Sequence, residues 1–411
     1  MSQIRIRNFG PIGEGFEQEE GWIDFTKVTV FIGNQGTGKS TIAKLFSTFT
    51  WMEKALQRGD VKESEVMRKG KFEGTYCAYH RLKHFFRDNT EISYKGSSYG
   101  FHYSNGRLTL SIADSQGVYQ MPKIMYVPAE RNFLSAVSQP EKVKGLPLPL
   151  YTFLEEFDRS QQELSETLPL PVGNLRFQYH KLNKVSYVVG DNYRIRLLEA
   201  SSGLQSIVPL FLVSRNIAMS INQELDASRS VLSVEEEKRL KAELERIFAN
   251  PSLNESLRRA ALEVLSSKYK YSCFINIVEE AEQNLYPQSQ RDLLYHLLEY
   301  TNYGDCNALV LTTHSPYIIN YLTLAIKGHE ILQKIGNHPE ATRLKDALTK
   351  VVPPASCVPA ADLTVYELTD DGRILRLPSY NGIPSDENFL NSFLFDTNQM
   401  FDALLEIEEE L

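Results

Sequence analysis

The stretch "FIGNQGTGKSTIAKLF", residues 31–46, constrains this chain more than any other. Gly33 to Ser40 spells GxxxxGK[ST] between "VTVFIG", an apolar run fit for a buried strand, and a run placing Ile42, Leu45, Phe46 and Phe49 at helical spacing. Glycines in such a turn let backbone N–H groups converge on an anion, and the helix N-terminus adds partial positive charge. Gly33, Gly36 and Gly38 shape that cradle, Lys39 reaches the β- and γ-phosphates, and Ser40 offers a hydroxyl to Mg²⁺. The motif predicts a nucleoside-triphosphate site inside an α/β fold.

The rest of the chain supplies strands, hairpins and helices around it. "QIRIRNF" alternates as a strand, and "GWIDFTKVTVFIG" reads as a strand pair entering the glycine turn. "TEISYKGSSYGFHYSNGRLTLSI", "RFQYHKLNKVSYVVGDNYRIRLL" and "LTVYELTDDGRILRL" read as antiparallel hairpins. "KIMYV", "CFINIV" and "NALVLTTH" are continuous apolar runs, the kind buried on both faces of a sheet. The basic segment from Lys54 to Asp88 is expected as a solvated helical face, with a nucleic-acid patch as its alternative. The pattern from Gly203 to Lys268 is helical, and its charged middle, "VEEEKRLKAELERIF", suits a projecting hairpin. "FLNSFLFDTNQMFDALLEIEEEL" predicts an amphipathic terminal helix, pairing Met400, Phe401, Leu404, Leu405 and Leu411 with Asp402, Glu406 and Glu408 to Glu410. Closing the protein's own core and docking a basic effector are equal readings of it.

Composition excludes several classes. Lys and Arg number 44 against 52 Asp and Glu, a net charge of -8, which argues against a surface built for bulk nucleic-acid binding. Cys77, Cys273, Cys306 and Cys357 form no CxxC pair, which speaks against disulfide scaffolds and zinc sites. "MSQIRIRNFG" has no apolar signal core and no apolar run approaches a bilayer span, so a cytoplasmic protein without a membrane is expected.

Hydrolysis needs a carboxylate on the metal and a group to orient water. "FINIVEEAEQNLYP" ends a buried strand in two carboxylates: Glu279 for Mg²⁺ and Glu280 to polarise the attacking water. "NALVLTTHSP" likewise delivers His314, placed to hydrogen-bond a γ-phosphate.

In order, "FIGNQGTGKST", "SSGLQS", "IVEEAEQNLYP" and "LTTHSP" resemble the Walker A, signature, Walker B and switch-histidine motifs of ABC-type ATPases of the soluble SMC-like and OLD-like branch. The resemblance spans nearly the whole chain. It implies ATP and Mg²⁺ as cofactors, with Asn34, Gln35, Thr37 and Thr41 completing the nucleotide loop. It implies a P-loop ABC-ATPase head with a mixed core sheet, an antiparallel β arm and an inserted helical lobe. The whole of 1–411 is then one domain: residues 1–200 and 270–380 form core sheet and arm, 201–269 the signature helix and helical insertion, and 381–411 a terminal helix. Ser202, Gly203 and Gln205 would meet nucleotide held by a second subunit, making a homodimer or higher oligomer through composite ATP sites. Ala281 and Tyr286 replace the Pro and His usual in the third motif, and Leu204 a Gly usual in transporters. No Q-loop glutamine is evident; "YVPAERN" occupies its place, so Glu130 or Arg131 stands in for it.

The spellings "PAER", "SSGLQS" and "EEAE" are most similar to ATPase subunits of PARIS- or Septu-type anti-phage defence systems. That resemblance implies a nucleotide-driven regulator of a separate effector, a nuclease for instance, triggered by nucleic acid or a phage protein. A DNA-repair or chromosome-maintenance ATPase of SMC or RecF type is the alternative. A transporter subunit fits the signature poorly. A fused nuclease would need clustered acids on their own sheet, and the acidic pair Asp370 and Asp371 after His314 lies in the "TDDGR" turn.

Overall fold

The computed structural model describes residues 2–113, 119–222, 232–250, 255–336 and 338–409. Its centre is a seven-stranded mixed sheet. In chain order the strands are β1 (Gly15–Phe16), β2 (Val28–Gly33), β3 (Pro122–Val127), β4 (Cys273–Glu279), β5 (Ala308–Thr312), β6 (Leu363–Leu368) and β7 (Arg373–Arg376). They lie in the order β3-β4-β5-β2-β6-β7-β1. The five strands from β3 to β6 are parallel, and β7 turns back antiparallel to β6 through the Asp370–Asp371 turn.

Both faces of this sheet are covered, which is why its strands are apolar throughout rather than alternating. Val28, Val30 and Ile32 of β2 face one core, with Val278, Leu309 and Leu311. That core is closed by helices α2 (Leu148–Glu163), α3 (Ser202–Asn222), α6 (Pro287–Asn302) and α7 (Pro316–Ile335). Phe31, Ile277 and Val310 face the other core, filled by α1 (Lys39–Arg58) and a five-stranded antiparallel arm. Sandwiched between two sheets, α1 is buried nearly all round. Phe49 stacks on Tyr94 and Phe101 of the arm, with ring centroids 5.2 and 5.6 Å away. The arm's outer hairpin turns at Asn105–Gly106, both with positive φ, as a two-residue hairpin requires. A four-stranded antiparallel sheet spans Leu168–Arg196.

Three expectations need correction. Ile23–Phe25 and Val28–Gly33 are both strands but not a pair: the first joins the arm, the second the core. Strand β2 spends both edges on parallel partners, β5 and β6, leaving none for its predecessor. The basic segment after α1 is a series of short helical pieces, Glu63–Val66, Phe72–Tyr76 and Cys77–Tyr79, and not one solvated helical face. Val66, Phe72, Tyr76, Cys77 and Leu82 are drawn into the arm core, while Arg68, Lys69, Arg81 and Lys83 stay exposed. One helix among the described residues, α3, is long and apolar enough to cross a membrane. Ile207, Val208, Leu210, Phe211, Val213 and Ile217 are buried in the core, so its apolarity is that of a central packing helix.

The charged hairpin is α4 (Val234–Ala249) and α5 (Glu255–Tyr269). Glu236 closes a capping box with Ser233 and also binds Lys54 and Arg58 of α1, at 3.4 and 2.8 Å. Tyr271 donates to the same carboxylate. The hairpin root is therefore tied to the back of the P-loop helix. The four cysteines are all free.

Candidate nucleotide site

The loop closing β2 takes positive φ at Gly33, Gly36 and Gly38, values of 138°, 81° and 108°. A Cβ on Gly33 would stand 2.3 Å from the Leu368 carbonyl oxygen of β6, so a side chain is excluded there by backbone as well as by φ. Lys39 curls into the loop it follows: Nζ donates to the carbonyls of Gly33 and Asn34 at 3.0 and 2.6 Å. Burial pulls this ammonium down to about 8, with Glu280 and Glu282 pulling the other way. Thr37 hydroxyl donates to the Asn34 carbonyl, and Asn34 accepts from the Gln35 N–H. Ser40 and Thr41 lie in the first turn of α1.

Parallel strands deliver the acidic groups to the same end of the sheet. Glu279 ends β4; its Oε2 accepts the Ala129 N–H at 3.2 Å, and its Oε1 lies 3.5 Å from Lys44 Nζ. That Oε1 is buried without a hydrogen-bond partner. Ser40 is one helical turn before Lys44, so the face of α1 that meets Glu279 also carries the Ser40 hydroxyl. One carboxylate with an unused lone pair, a hydroxyl and incoming phosphates are a donor set of the kind Mg²⁺ takes. Among the described residues no cluster of three His, Cys, Asp or Glu offers an all-protein metal site.

Glu280 follows in the left-handed region at φ 44°, an uncommon conformation for a non-glycine residue. Its N–H donates to the Thr312 carbonyl at 2.9 Å, and its Oε1 stands 3.9 Å from His314 Nε2. Burial and the neighbouring Lys39 lower the His314 pKa, while the Gly33 carbonyl opposes them, so the ring is neutral at physiological pH. Glu282 is buried beneath: Oε1 accepts the His314 backbone N–H at 2.7 Å, Oε2 has no partner, and burial raises its pKa. Lys39, Glu279, Glu280 and His314 thus converge from three strand ends.

Glu130 is exposed in a single 3-10 turn, whereas Arg131 beside it is 0% exposed. The Arg131 guanidinium donates to the carbonyls of Glu279 at 2.7 Å, Glu280 at 2.6 Å, and Pro128 and Ser206 at 3.3 Å. Desolvation lowers it to about 10, against the pull of three nearby carboxylates. This residue fastens α3 to the backbone that carries Glu280. Lys44 carries no motif spelling that separates it from an ordinary helix residue; Arg131 and Glu282 stand inside the "PAER" and "EEAE" spellings, which do not reveal the backbone groups they hold.

Ser202 and Gly203 open α3, and Gly203 packs against the turn after Glu280. A Cβ on Gly203 would meet the Asn284 carbonyl oxygen at 2.6 Å. Ser206 Oγ donates to Gln283 at 3.4 Å. Gln205 folds back, its amide donating to Leu197 and Leu198 carbonyls at 3.3 and 2.9 Å. A cavity of about 550 Å³ lies elsewhere, between Leu170, Arg176 and Asp191 on the four-stranded sheet. It contains none of these groups.

No family model matches this chain, and no curated protein does. Among solved structures it is similar to an Smc head bound to the C-winged helix domain of ScpA, at 10% identity and TM-score 0.38, covering 92% of this chain and 98% of that one. A Pyrococcus furiosus Smc head with an extended coiled coil, bound to the C-terminal domain of ScpA, aligns at 10% identity and TM-score 0.36, covering 99% and 100%. A nucleotide-free ATP-binding cassette from an ABC transporter aligns at 11% identity and TM-score 0.28, covering 93% and 94%. Alignments this loose decide nothing further; the fold rests on strand order and loop geometry.

Proposed function

We propose that this chain is an ABC-type ATPase whose nucleotide state regulates a separate effector. The observation that supports it is the meeting of Lys39, Glu279, Glu280 and His314 at one glycine loop. In this reading ATP phosphates displace the Gly33 and Asn34 carbonyls from Lys39. Ser40 and Glu279 would hold Mg²⁺, which would supply neutralisation of phosphate charge. Glu280 takes the proton of the attacking water, and neutral His314 hydrogen-bonds the γ-phosphate. Ser202 and Gly203, at the start of a long helix, present N–H groups and helix dipole to nucleotide in a second copy. The chain is then one cytoplasmic head, with residues 201–269 inserted between the parts of its core and 381–411 appended.

The motif spellings extend this reading to anti-phage defence, with a nuclease as the effector and a nucleic acid or phage protein as trigger. The chromosome-maintenance alternative calls for a long coiled coil, and the arms of this hairpin are 16 and 15 residues. The test pairs two variants. Lys39→Ala should abolish ATP binding. Glu280→Gln should keep binding, stall hydrolysis and accumulate an ATP-dependent dimer in light scattering. Unchanged ATP affinity in the first, or full turnover in the second, refutes the assignment.

A further inference from the structure

Helix α8 (Phe389–Glu409) does not close the core of this chain. Its root is fixed, with Leu390 buried and the Phe389 N–H donating to Glu367 at 3.0 Å. Beyond the root it carries an uncovered apolar stripe. Phe393, Met400, Leu404 and Ile407 fall seven, four and three residues apart, on one helical face, with Phe401 and Leu405 beside them. Met400 is 68% exposed, Phe401 60% and Leu404 62%. Monomeric proteins rarely leave contiguous apolar patches larger than a few hundred Å², and larger ones mark interaction sites. Leu411, also in the sequence stripe, lies outside the described residues.

Charge says what covers it. Residues 377–411 contain eight Asp and Glu and no Lys, Arg or His. The other 376 residues hold 44 basic and 44 acidic side chains, so the entire net charge of -8 sits on this segment. Acids at a helix C-terminus oppose the helix dipole. Glu406 and Glu408 stand there with no basic residue in the last turn, and Asp402 lies one turn before Glu406. A lone helix gains nothing from that arrangement; a cationic partner would reverse it.

We propose that α8 docks a separate protein through an apolar groove rimmed by Lys and Arg. A second α8 is a poor occupant. Parallel pairing sets the acidic tips against each other, and antiparallel pairing sets them against the exposed Asp386 and Glu387 at the partner's root. The proposal goes beyond the ATPase reading and does not depend on it, since docking is measured without nucleotide.

The test uses the full chain and two synthetic amphipathic helical peptides that share a Leu stripe, one with Lys and one with Glu on the polar face, followed by fluorescence anisotropy. The Lys peptide should bind and the Glu peptide should not. Met400→Glu with Leu404→Glu should weaken Lys-peptide binding at least tenfold although it adds negative charge. Asp402→Lys with Glu406→Lys and Glu408→Lys should weaken it similarly with the stripe intact. Lys-peptide affinity unchanged or increased in the Met400/Leu404 variant means nonspecific charge attraction and overturns the proposal. A drop in molecular mass of that variant in light scattering means that a second copy covers the stripe, and overturns it equally.

Discussion

Replacing Arg131 with Met tests whether the catalytic turn is held from behind. Met keeps most of the buried volume and removes all four hydrogen bonds. The two short bonds, to Glu279 and Glu280 carbonyls at 2.7 and 2.6 Å, are charge-assisted and worth ~1.5–3 kcal/mol each. The two at 3.3 Å add roughly 0.5 kcal/mol each. Against these stands the desolvation of a fully buried guanidinium, several kcal/mol that Met no longer incurs. The carbonyls stay buried and lose their partners, so a net loss of about 3 kcal/mol is expected. At ~2 °C per kcal/mol for a large domain, that is a fall of roughly 6 °C in Tm. The effect on turnover should be larger than stability alone dictates. Glu280 sits at φ 44°, a conformation that persists only when its surroundings over-determine it, and Arg131 grips its carbonyl. ATP affinity, set by the P-loop, should hold while kcat falls, with Arg131→Lys intermediate because one ammonium cannot span the same carbonyls. Differential scanning fluorimetry and a phosphate-release assay read both quantities. A Met variant with unchanged Tm and turnover would refute the argument.

Two further outcomes follow from the site. Lys39 has a folded pKa of about 8, below the ordinary lysine value of 10.5, so its contribution to stability is present above 10.5 and lost as pH falls through about 8. Bound phosphates raise that pKa again; ATP binding at pH 8 should therefore take up protons in calorimetry across buffers of different ionisation enthalpy, and Lys39→Arg should show no uptake. Gly203→Ala drives a Cβ to 2.6 Å from the Asn284 oxygen, which should cost on the order of 1–3 kcal/mol and displace the start of α3; ATP binding to the isolated chain should persist while ATP-dependent dimerisation weakens, and full dimerisation would count against a composite site.

Local chemistry made much of this molecule legible in the sequence. The glycine spacing before α1, the Asn-Gly turn of the arm and the apolar runs of β3, β4 and β5 depend on residues close together in the chain, and each forms the element expected. What long-range pairing decides stayed hidden. Residues 23–33 read as two strands either way; only β5 and β6, arriving some 280 and 335 residues later, determine that β2 has no free edge. Glu130 and Arg131 are equal candidates as adjacent polar residues in a turn. Carbonyls 75, 148 and 149 residues away bury the arginine and leave the glutamate in solvent. No neighbour of Glu282 in the chain announces its partner, the His314 N–H, 32 residues on. The amphipathic pattern of α8 was equally consistent with burial and projection, because periodicity records that a helix has an apolar face and not what lies opposite it. That depends on where the preceding β-strands aim its root, a property of the assembled sheet.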